Sequence, residues 1–111
     1  MAKFLVTYHR AGTSTDVATA EQARAAVDGW IAAAGSAVID PGAPVRRLTQ
    51  LAGGEPEPPS TIDGYSLIEV DSIEAASDLL RSHPFLTGGG TLQINEVLEG
   101  ARLTGVAPAA D

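Results

Sequence analysis

The chain has no cysteine, which excludes disulfide scaffolds, thiolate metal sites and cysteine nucleophiles and leaves packing alone to hold the fold. Long apolar runs are also missing. None approaches the ~18 residues that a membrane span needs, and Met1 to Tyr8 shows no basic region followed by an apolar stretch and a cleavage site. A cytoplasmic protein with no membrane partner is expected. Positive charge is scarce: seven Lys and Arg against fourteen Asp and Glu give a formal charge of -7. Such a surface repels phosphate backbones rather than neutralising them, so nucleic acid is not an expected partner. Histidine is scarce too. His9 and His83 stand far apart, no spacing of His with carboxylates resembles a metal site, and no cofactor is implied.

What is present fits one domain. A length of 111 residues with 44% apolar residues can bury one core and is too short for two ordinary domains. The clearest stretch runs from Asp63 to Pro84. Gly64 to Val70 reads as a strand, and Asp71 with Glu74 three residues later matches a capping box that opens a helix. Ile73, Ala76, Leu79 and Leu80 then recur at helical spacing, and Pro84 ends the run at His83.

The rest follows in order. Lys3 to Tyr8 is β-branched and aromatic without clean alternation, as in a central strand covered on both faces. His9 to Ala18 reads as a loop at the strand end. Thr19 is a candidate N-cap for a helix whose apolar stripe is Ala20, Ala23, Val27, Trp30, Ile31 and Ala34, with Arg24 and Asp28 placed to pair on its flank and Gly35 at its end. Ser36 to Asp40 and Val45 to Leu51 are extended pieces interrupted by Pro41, Gly42 and Pro44, either one broken strand or two short ones. Ala52 to Ser60 is acidic and proline-rich, an exposed connection. Thr91 to Leu98 is the last strand, with Leu92, Ile94 and Leu98 on one face and Gln93, Asn95 and Val97 on the other. The domain is expected over residues 1–99 and a frayed tail over 100–111.

The order β, α, β, β, α, β is that of the split βαβ, or ferredoxin-like, fold: α+β, a four-stranded antiparallel sheet with both helices on one face. Two helices cover one face only, while the strands carry apolar residues on both. The open face is therefore expected to be covered by a second copy, in a homodimer whose sheets meet face to face.

Several pieces together resemble the YCII-related family, including its DGPF-type members. They are the opening Lys3 to His9, the Trp30 helix ending at Gly35, Gly42-Ala43-Pro44, Gly64-Tyr65 opening a strand that closes on Glu69-Val70, Ala75-Ala76, His83-Pro84-Phe85, and the glycines before Leu92 to Val97. The resemblance implies a dimeric α/β barrel. In some members it also implies enzymatic activity by a His and Asp pair, on a substrate class generally unknown, with the His on the first helix and an acid just before the Pro-aromatic pair. This chain departs at both places. Arg24 stands near the helix position, and His83 stands where the acid would be.

The candidate site centres on His83, as a proton shuttle with Asp40 as its orienting carboxylate, or simply as a residue capping the last carbonyls of its helix. Asp40 has an alternative too, as an ordinary turn residue. His9 and Arg24 are candidates to hold a ligand's polar end. Trp30 is a core anchor or a pocket wall, Tyr65 can stand beside it, and Thr7, Ser66, Gln93 and Asn95 are expected to line the open face. Gly88 to Gly90 lacks the helix and Lys of a P-loop and reads as a connection. The expected function is small-molecule binding, or turnover, in a His-centred cleft. The alternative is a non-catalytic dimerisation or regulatory module without a pocket.

Overall fold

The computed structural model describes residues 1–10 and 20–101. Its elements are β1 (Ala2–His9), α1 (Ala20–Ala34), a 3-10 turn over Gly35–Ala37, β2 (Val38–Pro44), β3 (Gly64–Val70), α2 (Ile73–Leu80), α3 (Pro84–Thr87) and β4 (Thr91–Glu96). The strands form one antiparallel sheet in the order β2-β3-β1-β4, which is the strand order of the split βαβ arrangement. The α+β class and the element order are as expected, with α3 as an added short helix. The candidate cap Thr19, most of the loop His9 to Ala18, and the tail from residue 102 lie outside the described residues.

β1 is one of the sheet's two inner strands, hydrogen-bonded on both edges, and its alternation sorts the two faces. Phe4, Val6 and Tyr8 lie opposite Ile68, Ser66 and Gly64 on β3, and Val6 and Tyr8 lie opposite Ile94 and Leu92 on β4. On this face Phe4, Val6, Tyr8 and Ile68 are buried with Ala76 and Leu80 of α2, and Trp30, Leu79 and Phe85 pack against them. Each fully buried side chain of this size stabilises the fold by roughly 1.5–3 kcal/mol. The stripe of α1 is shorter than expected. Val27, Trp30, Ile31 and Ala34 are half-buried, whereas Ala23 is exposed, and Arg24 and Asp28 do not pair. The chain leaves α1 through Gly35 at φ 62, the left-handed conformation that ends helices.

Three local expectations need correction. Ser72, not Asp71, caps α2: its backbone is extended (φ -155, ψ 167) and its Oγ accepts the Ala75 amide at 3.1 Å. Val45 to Leu51 is not a strand. β2 instead starts at Val38 and runs through the prolines, which an edge strand tolerates because its outer side needs no ladder donor, and its register shifts between Val38 and Asp40 and again between Asp40 and Ala43. β4 ends at Glu96 rather than Leu98, although the Val97 amide still donates to the Lys3 carbonyl at 2.9 Å.

The odd-numbered residues of β1 point to the other face, which no described helix covers. Leu5 and Leu67 are register partners at its centre, Thr7 lies opposite Tyr65 and Gln93, and Asp40 lies opposite Leu67. This face is apolar only in the middle. Lys3, Glu69, Gln93, Asn95 and Asp40 surround the leucines, and the Asn95 side chain donates to the Leu5 carbonyl at 3.1 Å.

Residues 45–63 join β2 to β3 as an arm without helix or strand. Its two legs are pinned at the root. The Val45 amide donates to the Asp63 carbonyl at 3.0 Å, and the Asp63 amide donates to the Tyr8 carbonyl at 2.7 Å.

Candidate functional site

His83 is 4% exposed and sits between two helices, where the chain leaves α2 and turns into α3. α2 stops at Leu80, short of the expected end at His83, and Pro84 instead supplies the first residue of α3, a position where its missing amide hydrogen is no loss. The His83 side chain is therefore the N-cap of the next helix, while its backbone amide donates to the carbonyl of Leu80, the last residue of α2, at 3.0 Å. Its Nδ1 accepts the Phe85 amide at 3.0 Å. That bond leaves Nδ1 without a proton, so the neutral ring carries its proton on Nε2. No described residue accepts from Nε2.

The ring stands among aromatics. Its centroid is 4.5 Å from that of Trp30 and 5.0 Å from that of Tyr8, and Phe85 meets Tyr8 edge-on at 5.4 Å. Trp30 is fixed in turn by its Nε1–H, which donates to Ser82 Oγ at 3.2 Å. Tyr8 and Ser66 bond through their hydroxyls inside the core, and burial pushes the Tyr8 phenol up. Ser66 thus lies on the helix face, not on the open face with Thr7, Gln93 and Asn95.

Burial lowers the His83 pKa from 6.5 to about 4. Protonation would also put a hydrogen on Nδ1 against the Phe85 amide. A histidine beside a helix C-terminus is ordinarily favoured as its imidazolium, and here burial reverses that preference. Above pH 6.5 the ring is neutral in the folded and unfolded chain alike. As pH falls from there to about 4 the unfolded chain takes up a proton that the folded chain does not, so stability is lost across that window, up to about 3 kcal/mol. NMR titration should find the ring protonating near pH 4, and His83→Asn, which keeps a cap acceptor, should lose less stability than the natural chain over that range. A ring titrating near 6.5 would contradict this account.

The other candidates are not gathered around His83. Asp40 shares the open face with Leu67, on the opposite side of the sheet from Tyr8 and His83, and its Oδ1 accepts the Gly42 amide at 2.8 Å as a turn residue does. It does not orient His83. His9 is on the open face as well. Its Nδ1–H donates to the Thr61 carbonyl at 2.6 Å, and its Nε2 accepts the Thr7 hydroxyl at 2.9 Å, so it ties the arm to β1. The Arg10 amide adds a bond to Asp63 Oδ2 at 2.6 Å. Tyr65 lies on the open face and Trp30 on the helix face, so they do not share a pocket. Arg24 is exposed on α1.

Concavities of about 470 and 220 Å³ lie along the arm, the first lined by residues between Gln50 and Ser60 and the second including Arg46, Arg47 and Asp63. Both are open, and neither touches His83. Among the described residues no group of three His, Asp or Glu could hold a metal ion, and no helix is long and apolar enough to cross a membrane. Sequence reasoning missed Tyr8 as a neighbour of His83 and Ser66 as the partner of the Tyr8 hydroxyl. The alternation of Phe4, Val6 and Tyr8 was the available signal, but the register that brings Ser66 opposite Val6 was not.

These features define a small α+β protein with a ferredoxin-like sheet and a neutral histidine in an aromatic cluster. No protein-family model matches the chain, nor does any curated protein or solved structure.

Proposed function

We propose that the chain is a non-catalytic homodimeric module of the YCII-related, dimeric α/β barrel kind, its two open sheet faces meeting, rather than an acid–base enzyme. The observation that carries this reading is the separation of the two groups such chemistry would need. Asp40 is on the open face, while His83 is on the helix face with its Nδ1 already accepting the Phe85 amide. An uncovered face with Leu5 and Leu67 at its centre supports the dimer, since apolar side chains at the middle of a polar rim are the usual anatomy of an interface. Sedimentation equilibrium should find a dimer at micromolar concentration, and Leu67→Asp should raise its dissociation constant by about tenfold or more. A monomeric natural chain, or a dimer indifferent to Leu67→Asp, would sink the proposal.

A second reading, capture of a small organic molecule, is favoured by the His83 Nε2–H, from which no described residue accepts and which stands beside the ring of Trp30. It calls for a ligand with one acceptor and a flat apolar body. In the NMR titration above, fragments of that description should shift the His83 and Trp30 side-chain resonances together. If no fragment moves either, this reading falls and the dimeric module stands alone.

A further inference from the structure

The arm carries side chains that its own chain does not cover. Leu48 is 83% and Leu51 92% exposed, and Val45 is exposed too, so apolar residues recur at every third position along one leg. Arg46 and Arg47 stand between the first two, and together they are two of the seven cations in a chain of net charge -7. This leg is not a loose end. The bonds from Val45 to Asp63, from Asp63 to Tyr8, from Arg10 to Asp63 and from His9 to Thr61 hold its root to β1. Nearer the tip, the Gln50 side chain donates to the Glu57 carbonyl at 2.9 Å. An arm held this way loses little conformational freedom when it docks.

The open face has the complementary pattern. Leu5 and Leu67 form its apolar centre, with Asp40 opposite Leu67 and Glu69 two residues along the same strand face. Leucines flanked by arginines on the arm match leucines flanked by carboxylates on the sheet. Both surfaces belong to one chain, so a twofold axis would satisfy both in each copy at once and close the assembly.

We infer that the first leg of the arm, residues 45–51, lies over the margin of the open face of a second copy, with Leu48 and Leu51 reaching towards Leu5 and Leu67 and with Arg46 and Arg47 beside Asp40 and Glu69. The inference rests on the homodimer proposed above and adds that each arm is exchanged. The arms thus seal the border of the interface, and their arginines offset the repulsion between two acidic subunits.

The absence of cysteine allows a clean test. Leu48→Cys and Leu67→Cys chains, mixed and oxidised, should give a disulfide-linked heterodimer on a non-reducing gel, whereas Leu48→Cys mixed with Glu21→Cys, on the exposed start of α1, should not. Independently, Leu48→Asp with Leu51→Asp should raise the dimer dissociation constant by about tenfold or more. Its far-UV circular dichroism should stay unchanged, because both side chains are exposed within the subunit. If the natural chain is dimeric, the cross-link no stronger than its control and the aspartate variant as tightly dimeric as the natural chain, the arm exchange is wrong and the face-to-face dimer survives. If the natural chain is a monomer, both proposals fail. An aspartate variant that dimerises normally but loses binding to another protein would assign the arm to that partner and overturn the exchange.

Discussion

Gly42→Ala is expected to detach the β2 edge and cost the fold about 3 kcal/mol or more. Gly42 lies within the second register shift of β2, between Asp40 and Ala43, with φ 74, in the left-handed region that other residues avoid. A Cβ placed there would fall on the carbonyl of Tyr65 and come within 3.1 Å of the Ser66 Cα. These are backbone atoms of the neighbouring strand, so no rotamer change relieves the clash. Either the backbone at position 42 changes conformation or β2 moves away from β3. Urea denaturation should show a lower midpoint, and hydrogen exchange should show lost protection across β2 and the root of the arm. Gly53→Ala is the control, since a Cβ there meets nothing within 4 Å. Equal stability of the two variants would show that β2 does not depend on this close approach.

Ile68→Ala should be of similar size, at about 3–4 kcal/mol, and should act through the core instead of the backbone. Ile68 is 0% exposed, lies on β3 between Phe4 of β1 and Val38 of β2, and is one of only six buried apolar residues described. A core this small leaves few neighbours able to collapse into the space. Against a total stability of roughly 5–15 kcal/mol, the variant is brought close to unfolding at room temperature. Ile73→Ala, at a site 46% exposed, should cost far less. Thermal or urea midpoints for the pair decide the matter, and an Ile68 variant no weaker than the Ile73 variant would mean that the core is centred elsewhere.

The sequence was most readable where one local rule acted alone. Gly64 to Val70 is bounded by a glycine and a cap and was legible to the residue, and Gly35 marked the end of α1. Adjacent residues with the same chemistry were harder. Asp71 and Ser72 both qualify as caps, and the choice is made by which one is extended when the helix begins. The prolines of β2 argue against a strand only if that strand is internal, and its place at the sheet edge follows from the pairing of distant segments. For the site, His83 was legible as a residue held by a proline turn, but Pro84 can close one helix or open the next, and local composition does not say which. The proposed partner Asp40 failed on a matter of parity. Each bulge in β2 changes which residues share a face, and two of them separate Val38 from Ala43.

The sheet order carries a consequence for how the protein is made. β1 is synthesised first, yet its two neighbours are β3 and β4, so that Phe4 must find both Ile68 and Glu96. On the ribosome β1 can recruit one flank only when the chain has grown past β3, and the other only when it has grown past β4. Until then it is an apolar strand with an unsatisfied edge, the kind of segment that chaperones hold and that unfinished chains use to stick to one another. Folding is thus postponed almost to the last residues of the domain, and a chain cut short before Thr91 would be released with that edge still open.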